Sequence, residues 1–342
     1  MAKIEFEHSK SAVNRAGVGL VTGTKEDHES AKNVLDNWRA CHVAPLNSFQ
    51  TSLRRKLSRV DSDALVSQRL KRMPSILAKL ERNPGMQLAR MQDIGGIRSV
   101  VKDMSSVRKI QSDYKKGTRV FSIVKGGKDY INYPKNSGYR SIHMIFKCKN
   151  GFSIELQVRT IIQHAWATAV ETMGTFLNHS LKSSEGPDEW LSFFVLASSA
   201  FSILESTPRV PEHDRYSEYE VFDMLLKKEA ELNVLKKLSG FRVVAKHIES
   251  EEVNGHYHLI TLNLDTRKAR VKSYAKRDAY KANTDYSEVE ELVSQGQNLQ
   301  VVLVTSKSIA SLKKAYPSYF LDAQLFAKQI SAVKKRFARM KA

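Results

Sequence analysis

The chain has 342 residues and carries 55 Lys and Arg against 36 Asp and Glu, a formal charge of +19. That length allows about two ordinary domains, each with a sizeable core, and the charge favours an acidic partner: nucleic acid, nucleotides or an anionic surface. Cys41 and Cys148 are the only cysteines, which excludes a disulfide framework and points to a reducing compartment.

The start of the chain, MAKIEFEHSKSAVNRAG, has no apolar run of the kind a secretory signal needs. Residues 25 to 58 read as helical, with Val34, Leu35 and Trp38 at helix spacing. In DSDALVSQRLKRMPSILAKLERNP, Asp61, Ser62 or Asp63 is expected to cap a helix that NPG ends. The segments IRSVV, FSIV, RSIHMIFK and FSIELQVR read as strands between polar or turn-rich stretches. TIIQHAWATAVETMGTFLNH is helical, followed by polar KSSEGPDE and the apolar stretch WLSFFVLASSAFSIL, residues 190 to 204. That stretch falls short of the ~20 residues that span a bilayer, so it reads as a buried helix and the protein as cytoplasmic, with no membrane contact. A charged helix over roughly Ser217 to Leu238 leads to a boundary near Ser239–Gly240. Beyond it, FRVVAKHIE, YHLITLNLD and KARVKSYA predict a three-strand meander, NLQVVLVTS a fourth strand, and residues 307 to 340 a helix-forming tail.

Four stretches carry chemistry. In SIELQVRT, Ile154, Leu156 and Val158 alternate with Glu155, Gln157 and Arg159, so one strand face is apolar and the other holds an acid, an amide and a cation. Alone, that is an ordinary half-buried strand with its polar face in water. INYPKNSGYRSIHMIF adds Lys135, Tyr139, Arg140 and His143; Tyr139 and His143 share one strand face within ~14 Å, and beside the Glu155 strand they would assemble a site. Asp93 precedes a Gly-Gly turn that feeds the strand carrying Arg98. It is either a turn former or a Mg²⁺ ligand paired with Glu155, since hard cations take carboxylate and phosphate oxygens. Upstream, RLKRMPSILAK gathers Arg69, Lys71, Ser75 and Lys79, either a solvated basic face or a phosphate grip.

In order along residues 50 to 175, RLKRMPSILAK, DIGGIR, YINYPKNSGYRSIH and IELQVRTIIQHAWA together resemble the RelA/SpoT-type nucleotide pyrophosphokinases. The resemblance implies an α+β fold with a nucleotidyltransferase-like mixed β-sheet flanked by helices. It also implies Mg²⁺-dependent transfer of the β,γ-pyrophosphate of ATP to a nucleotide 3′-hydroxyl. Carried over by residue, Arg69 and Arg98 hold ATP adenine and phosphates, and Lys71, Ser75 and Lys79 grip phosphate. Asp93 binds Mg²⁺, and Glu155 binds metal or activates the hydroxyl. Tyr139 stacks on the acceptor base, with Lys135, His143, Gln157 and Arg159 around the acceptor.

Housekeeping members of that family act on GDP or GTP, whereas a toxin branch modifies the 3′-terminal CCA end of tRNA. SKSAVNRAG and NWRACHVAPLNSF resemble the leader of the toxin branch, and the net charge suits a polyanionic acceptor. Arg54, Arg55 and Lys56, with Lys10, Arg15 and Arg39, are candidate tRNA contacts; otherwise they are a solvated basic surface. The C-terminal meander and KAYPSYFLDAQLFAKQI resemble the antitoxin half of fused CapRel-type proteins. There, a zinc-less finger-like domain folds a Tyr-x-x-Tyr element, here Tyr316 and Tyr319, over the ATP site; the alternative is two packing tyrosines. The expected layout is a helical leader over 1–49, a synthetase domain over 50–205, a connecting helix over 206–239 and a regulatory domain over 240–342. The expected function is a tRNA 3′-end pyrophosphokinase, restrained by its own C-terminal part and triggered by a phage structural protein. A small alarmone synthetase is the competing enzyme, and a basic RNA-binding module on an inactive synthetase fold the competing non-enzyme.

Overall fold

A computed structural model of the chain describes residues 6–117, 121–124, 127–177, 179–238, 248–250, 255–266, 268–305, 316–320 and 323–341. The alternation in SIELQVRT organises its centre. This segment is strand β6 (Ser153–Thr160), and Ile154, Leu156 and Val158 are wholly buried on one face. They share an apolar cluster with Phe49 and Leu53 of helix α3 (Val43–Leu57) and with Val107 and Ile110 of helix α5 (Met104–Lys115). β6 pairs in parallel with β2 (Gly95–Val101) and antiparallel with β5 (Ile142–Lys147). β1 (Leu65–Leu70) lies antiparallel to β2, and the two-residue strands β3 (Ser122–Ile123) and β4 (Lys128–Asp129) both pair with β5. The result is a mixed sheet flanked by helices, an α+β fold.

Helices α6 (Ile161–Leu177), α7 (Asp188–Leu204) and α8 (Glu218–Leu232) build a second apolar cluster, joined by the C-terminal helix Gln324–Lys341. The apolar stretch predicted to be a buried helix is α7, which buries eleven of its seventeen residues. Among the described residues, no helix is long and apolar enough to cross a membrane. At the N-terminal side, helices α1 (Lys10–Thr22) and α2 (Lys25–Ala40) pack Val13, Leu35 and Trp38 against Ile76 and Leu80 of helix α4 (Met73–Glu81).

The C-terminal strands do not form a sheet of their own. β10 (Leu299–Thr305) pairs antiparallel with β1 at Arg69↔Val304, and β8 (Tyr257–Asn263), β9 (Lys268–Tyr274) and β7 (Ile248–Ser250) continue the same sheet. Its order is β3-β5-β6-β2-β1-β10-β8-β9-β7. β8 and β10 bury apolar side chains on both faces. Ile260, Leu262, Val302 and Val304 pack with Tyr316 on one side. Tyr257, Leu259, Val301 and Leu303 pack with Ala282 and Tyr286 of the helix Ala279–Ser294 on the other.

Several expectations change. Asp61, Ser62 and Asp63 cap no helix: strand β1 intervenes, and α4 begins only at Met73, where Pro74 sits in its first turn. The buried Asp61 instead accepts N–H groups from Lys102 at 2.8 Å and Asp63 at 3.2 Å, bracing the entry to β1. The helical run over 25–58 breaks at Cys41–His42 into α2 and α3. The predicted meander is reordered as well. Residues 241–247 of FRVVAKHIE lie outside the described residues, and the end of that segment, β7, runs parallel to β9 rather than antiparallel to β8. The flank of β8 is taken by β10, whose seven-residue register buries Val302 against Ile260.

Phe326 of the C-terminal helix is fully buried, its ring 5.3 Å from that of Phe201 and 6.0 Å from that of Phe194. Phe326→Ala should therefore lower stability by ~3–5 kcal/mol. The urea midpoint of one transition, followed by tryptophan fluorescence and circular dichroism together, should fall. Two separated transitions would mean that the C-terminal segment folds on its own.

Candidate active site

The parallel register of β2 and β6 sets Gly96 beside Glu155, Arg98 beside Gln157 and Val100 beside Arg159. Across β2, β1 places Ser67 opposite Arg98 and Arg69 opposite Gly96; across β6, β5 places His143 opposite Gln157. Because side chains alternate across a strand, these residues share the face away from α3. There Ser67, Arg69, Gly96, Arg98, His143, Glu155 and Gln157 line a cavity of about 300 Å³, together with Lys71, Asp93, Lys135, Tyr139, Lys182 and Tyr316.

At one end of the cavity, Asp93 lies between two ammonium groups. Lys71 Nζ donates to Oδ2 and Lys79 Nζ to Oδ1, each at 2.9 Å. Burial works against the charged carboxyl, but Lys71 and Lys79 outweigh it and hold Asp93 below the usual carboxylate range. Lys71 follows β1 directly and Lys79 lies in the second turn of α4, so a strand and a helix grip the same acid.

Glu155 is held differently. Its Oε1 meets His143 Nδ1 at 2.8 Å, its Oε2 accepts from Gln157 Nε2 at 2.7 Å, and His143 Nε2 meets the Tyr139 hydroxyl at 2.8 Å. A carboxylate only accepts, so Nδ1 carries a proton and donates it to Glu155. Burial again opposes ionisation, and His143 and Gln157 keep Glu155 below the carboxylate range. The Tyr139 ring is only 8% exposed and borders the cavity from within the helical core. Tyr130 stands edge-on to it at 5.9 Å, with the Lys135 ammonium 4.7 Å from the Tyr130 ring and 5.5 Å from that of Tyr139. The loop holds this posture through Gly138, whose φ of +82° suits glycine and whose missing Cβ would stand 2.9 Å from Ser198 Cβ. Arg140 braces the loop from beneath. It donates from Nε to Ser198 Oγ at 2.9 Å and from Nη1 to the Pro208 carbonyl at 2.6 Å.

The other end is cationic. Arg69 and Arg98 line it, and Arg159 lies behind them, 1% exposed, with Nε and Nη1 free of any hydrogen-bond partner among the described residues. Burial first, and then the neighbouring Arg98, depress its pKa. Two groups here escaped the sequence reading. Glu171 of α6 accepts from Lys182 at 2.8 Å and from Ser318 at 3.2 Å. Despite burial, Lys182, Arg98 and Arg69 hold it well below the carboxylate range. Lys182 itself lines the cavity from the polar segment after α6. Such a segment has no periodicity to betray it. Tyr316, 4% exposed, both packs against the C-terminal strands and donates its hydroxyl to the Gln68 carbonyl at 2.8 Å.

Other candidates lie elsewhere. Ser75 is in the first turn of α4 and does not line the cavity. Arg54, Arg55 and Lys56 end α3, on the opposite face of the sheet. Arg54 donates to the Val66 carbonyl at 3.3 Å, Lys56 lies 3.8 Å from Asp113, and Arg55 is exposed. Lys10 and Arg15 are exposed on α1, but Arg39 is 2% exposed and bonded to Glu290 inside the protein, so it is no surface contact. Tyr319 falls in the one-turn helix Pro317–Phe320, and its side chain lies outside the described residues.

No group of three or more His, Cys, Asp or Glu converges as a metal site among the described residues. Asp93 and Glu155 nevertheless face one cavity, both anionic, and one or two carboxylates suffice for Mg²⁺ when substrate phosphates complete its shell. The donor set therefore fits a cation that arrives with a polyphosphate.

The clamp on Asp93 has a pH signature. A carboxyl whose folded pKa lies below its unfolded value near ~4 adds stability above that value and loses it as pH falls through the folded one. Lys71→Met should raise the Asp93 midpoint in a side-chain carbon NMR titration and move the onset of acid destabilisation upward. An unmoved midpoint would assign the clamp to Lys79 alone.

Residues 68–176 match the family described as the region found in RelA / SpoT proteins. The chain is 31% identical over 112 residues to GTP pyrophosphokinase YjbM of Bacillus subtilis, an overlap of 30% of this chain and 52% of that one. It is 29% identical over 128 residues to an uncharacterized protein of Mycobacterium tuberculosis, covering 37% of this chain and 46% of the relative. The chain thus spans about half the length of the curated relatives it matches. Among solved structures, the small alarmone synthetase 1 of Bacillus subtilis bound to its product pppGpp is 26% identical. That match covers 48% of this chain and 88% of the other, with a TM-score of 0.40. The segment that supplies most of the cavity lining, residues 68–176, is thus the part of the chain that matches the RelA / SpoT region.

Proposed function

We propose that the protein is an ATP-dependent pyrophosphokinase. The reading is carried by one observation: a single cavity holds a lysine-clamped acid, a second acid in a hydrogen-bonded chain, and the cations Arg69, Arg98 and Lys182. Lys71, Lys79, Arg69 and Arg98 bind and align the triphosphate, with the adenine toward the arginine end. Asp93 and Glu155 would hold Mg²⁺, which when bound neutralises phosphate charge. The acceptor 3′-oxygen attacks the β-phosphorus and forms an O–P bond. The bond from that phosphorus to the α,β-bridging oxygen breaks, and AMP leaves with that oxygen. Glu155 takes the hydroxyl proton, and His143 and Tyr139 keep its carboxylate oriented. Positioning and electrostatic stabilisation supply the catalysis.

The acceptor we favour is the 3′-terminal adenosine of tRNA. The net charge of +19 supports it, because each neutralised RNA phosphate adds counterion-release affinity. Exposed Lys10, Arg15 and Arg55 would meet the body of the RNA, with Arg54 and Lys56 beside Arg55. GDP or GTP is the alternative acceptor, supported by the names of the relatives. Labelling from ATP marked in its γ-phosphate, offered bulk tRNA or GDP and GTP, decides between them. A folded Glu155→Gln protein should transfer no label to either acceptor; retained transfer would remove Glu155 from the mechanism.

Tyr316, on the cavity wall and bonded to β1, supports self-restraint by the C-terminal part, with Tyr319 as its companion and a phage structural protein as the releasing partner. A single hydrogen bond contributes ~0.5–1.5 kcal/mol, so Tyr316→Phe should raise affinity for a non-hydrolysable ATP analogue roughly two- to tenfold. Unchanged affinity in folded Tyr316→Phe and Tyr316→Leu proteins would make Tyr316 a packing residue only.

A further inference from the structure

Glu290, on the helix Ala279–Ser294, is 2% exposed, and each of its carboxylate oxygens has a separate partner. Oε1 accepts the backbone N–H of Met73 at 3.0 Å, and Oε2 accepts Arg39 Nη1 at 2.9 Å. Both contacts lead to Asp93. Met73 is the first residue of α4, whose own sequence caps it poorly: the Arg72 side chain makes no capping bond and the first turn has no acid. Helix N-termini carry unsatisfied N–H groups and a partial positive charge. Glu290 supplies the missing acceptor and anion from more than two hundred residues away, fixing the helix that delivers Lys79 to Asp93 Oδ1. By the other route, Arg39 also donates from Nε to the Lys71 carbonyl at 3.1 Å, and Lys71 delivers its ammonium to Asp93 Oδ2. Asp36 takes the same Arg39 Nη1 at 2.9 Å, and the Tyr286 ring lies 5.0 Å from the guanidinium, so the arginine cannot turn away.

We propose that Glu290 is a positioning residue for the phosphate-gripping lysines, acting through Arg39 on Lys71 and through the start of α4 on Lys79. This rests on the reading of the cavity as an ATP site. The same two helices offer an internal control. Lys32 of α2 and Glu291, next to Glu290, form an ion pair at 2.6 Å that is half exposed at Glu291 and does not lead to Lys71 or α4. A mere tether between the helices would draw on both pairs. A positioning role belongs to Glu290 alone.

The test uses the full chain and a non-hydrolysable ATP analogue, with binding measured by calorimetry and thermal midpoints recorded for every variant. Glu290→Gln should weaken the analogue roughly 10- to 100-fold, the range found when a supporting partner of a binding group is removed. In turnover, KM for ATP should rise more than kcat falls. Glu290→Asp, which restores the charge, should recover part of the loss, and Glu291→Gln should leave affinity unchanged. Equal effects of Glu290→Gln and Glu291→Gln would overturn the proposal, as would wild-type affinity in a folded Glu290→Gln protein. Loss in Glu290→Gln without any recovery in a folded Glu290→Asp protein would also overturn it. Failure of the wild type to bind the analogue would instead defeat the ATP-site reading beneath it.

Discussion

The parallel pairing of β2 with β6 is the constraint on which the cavity depends. Parallel neighbours in register turn the same faces the same way, so the alternation of one strand is laid beside that of the other. Gly96 next to Glu155 leaves the acid uncovered, and Arg98 next to Gln157 continues the polar row toward Arg159. A slip of one residue would turn Glu155, Gln157 and Arg159 into the apolar cluster beneath α3 and α5. Ile154, Leu156 and Val158, all fully buried there, prevent that slip. The packing of one face therefore fixes the chemistry of the other.

Charge is distributed unevenly around this frame. Asp93 faces two lysines and Glu155 a chain of hydrogen bonds, whereas Arg69, Arg98 and Arg159 crowd together with Glu171 as a counter-ion. An arginine whose N–H groups lack partners among the described residues, behind two others, is costly to bury. On the proposed reading, an arriving polyphosphate would offer this end further negative charge and acceptors. Glu171 is already committed to Lys182 and Ser318, so it holds the cluster together without neutralising it.

Much of this was legible in the sequence where short-range periodicity or turn chemistry set the outcome. The alternation of SIELQVRT, the Pro and Gly of the loop before β5 and the length of α7 each leave a local mark. The boundary between β1 and α4 did not, because LVSQRLKRMPSILAK runs from strand to helix with Pro74 as its sole punctuation. Lys182 was hidden in a polar turn. Glu290 was hidden in the acidic run SEVEELVS, which looks like a solvated helix face. The joining of β10 to β1 was hidden too, since an edge strand's choice of partner is a tertiary event with no local residue pattern. What the sequence could not reveal was which distant segment completes each element.

That last point bears on how the C-terminal part can exert control. It touches the cavity from two sides with opposite consequences. Tyr316 and Ser318 reach the arginine end, where they occupy space and bind Gln68 and Glu171. Glu290 works from behind the lysine end, where it supports the grip. Between these contacts, β10 extends the sheet at Arg69 and the C-terminal helix fills the core beside α7. Withdrawing the whole segment would expose an apolar strand face and strand the buried Arg39 without Glu290, and a broken buried pair is strongly destabilising. Release by wholesale departure is therefore the expensive route. If the C-terminal part restrains the site as proposed, a local shift of the turn at 316–320 that releases Tyr316 and Ser318 while β10 and Glu290 stay in place would open the arginine end and leave the lysines aligned.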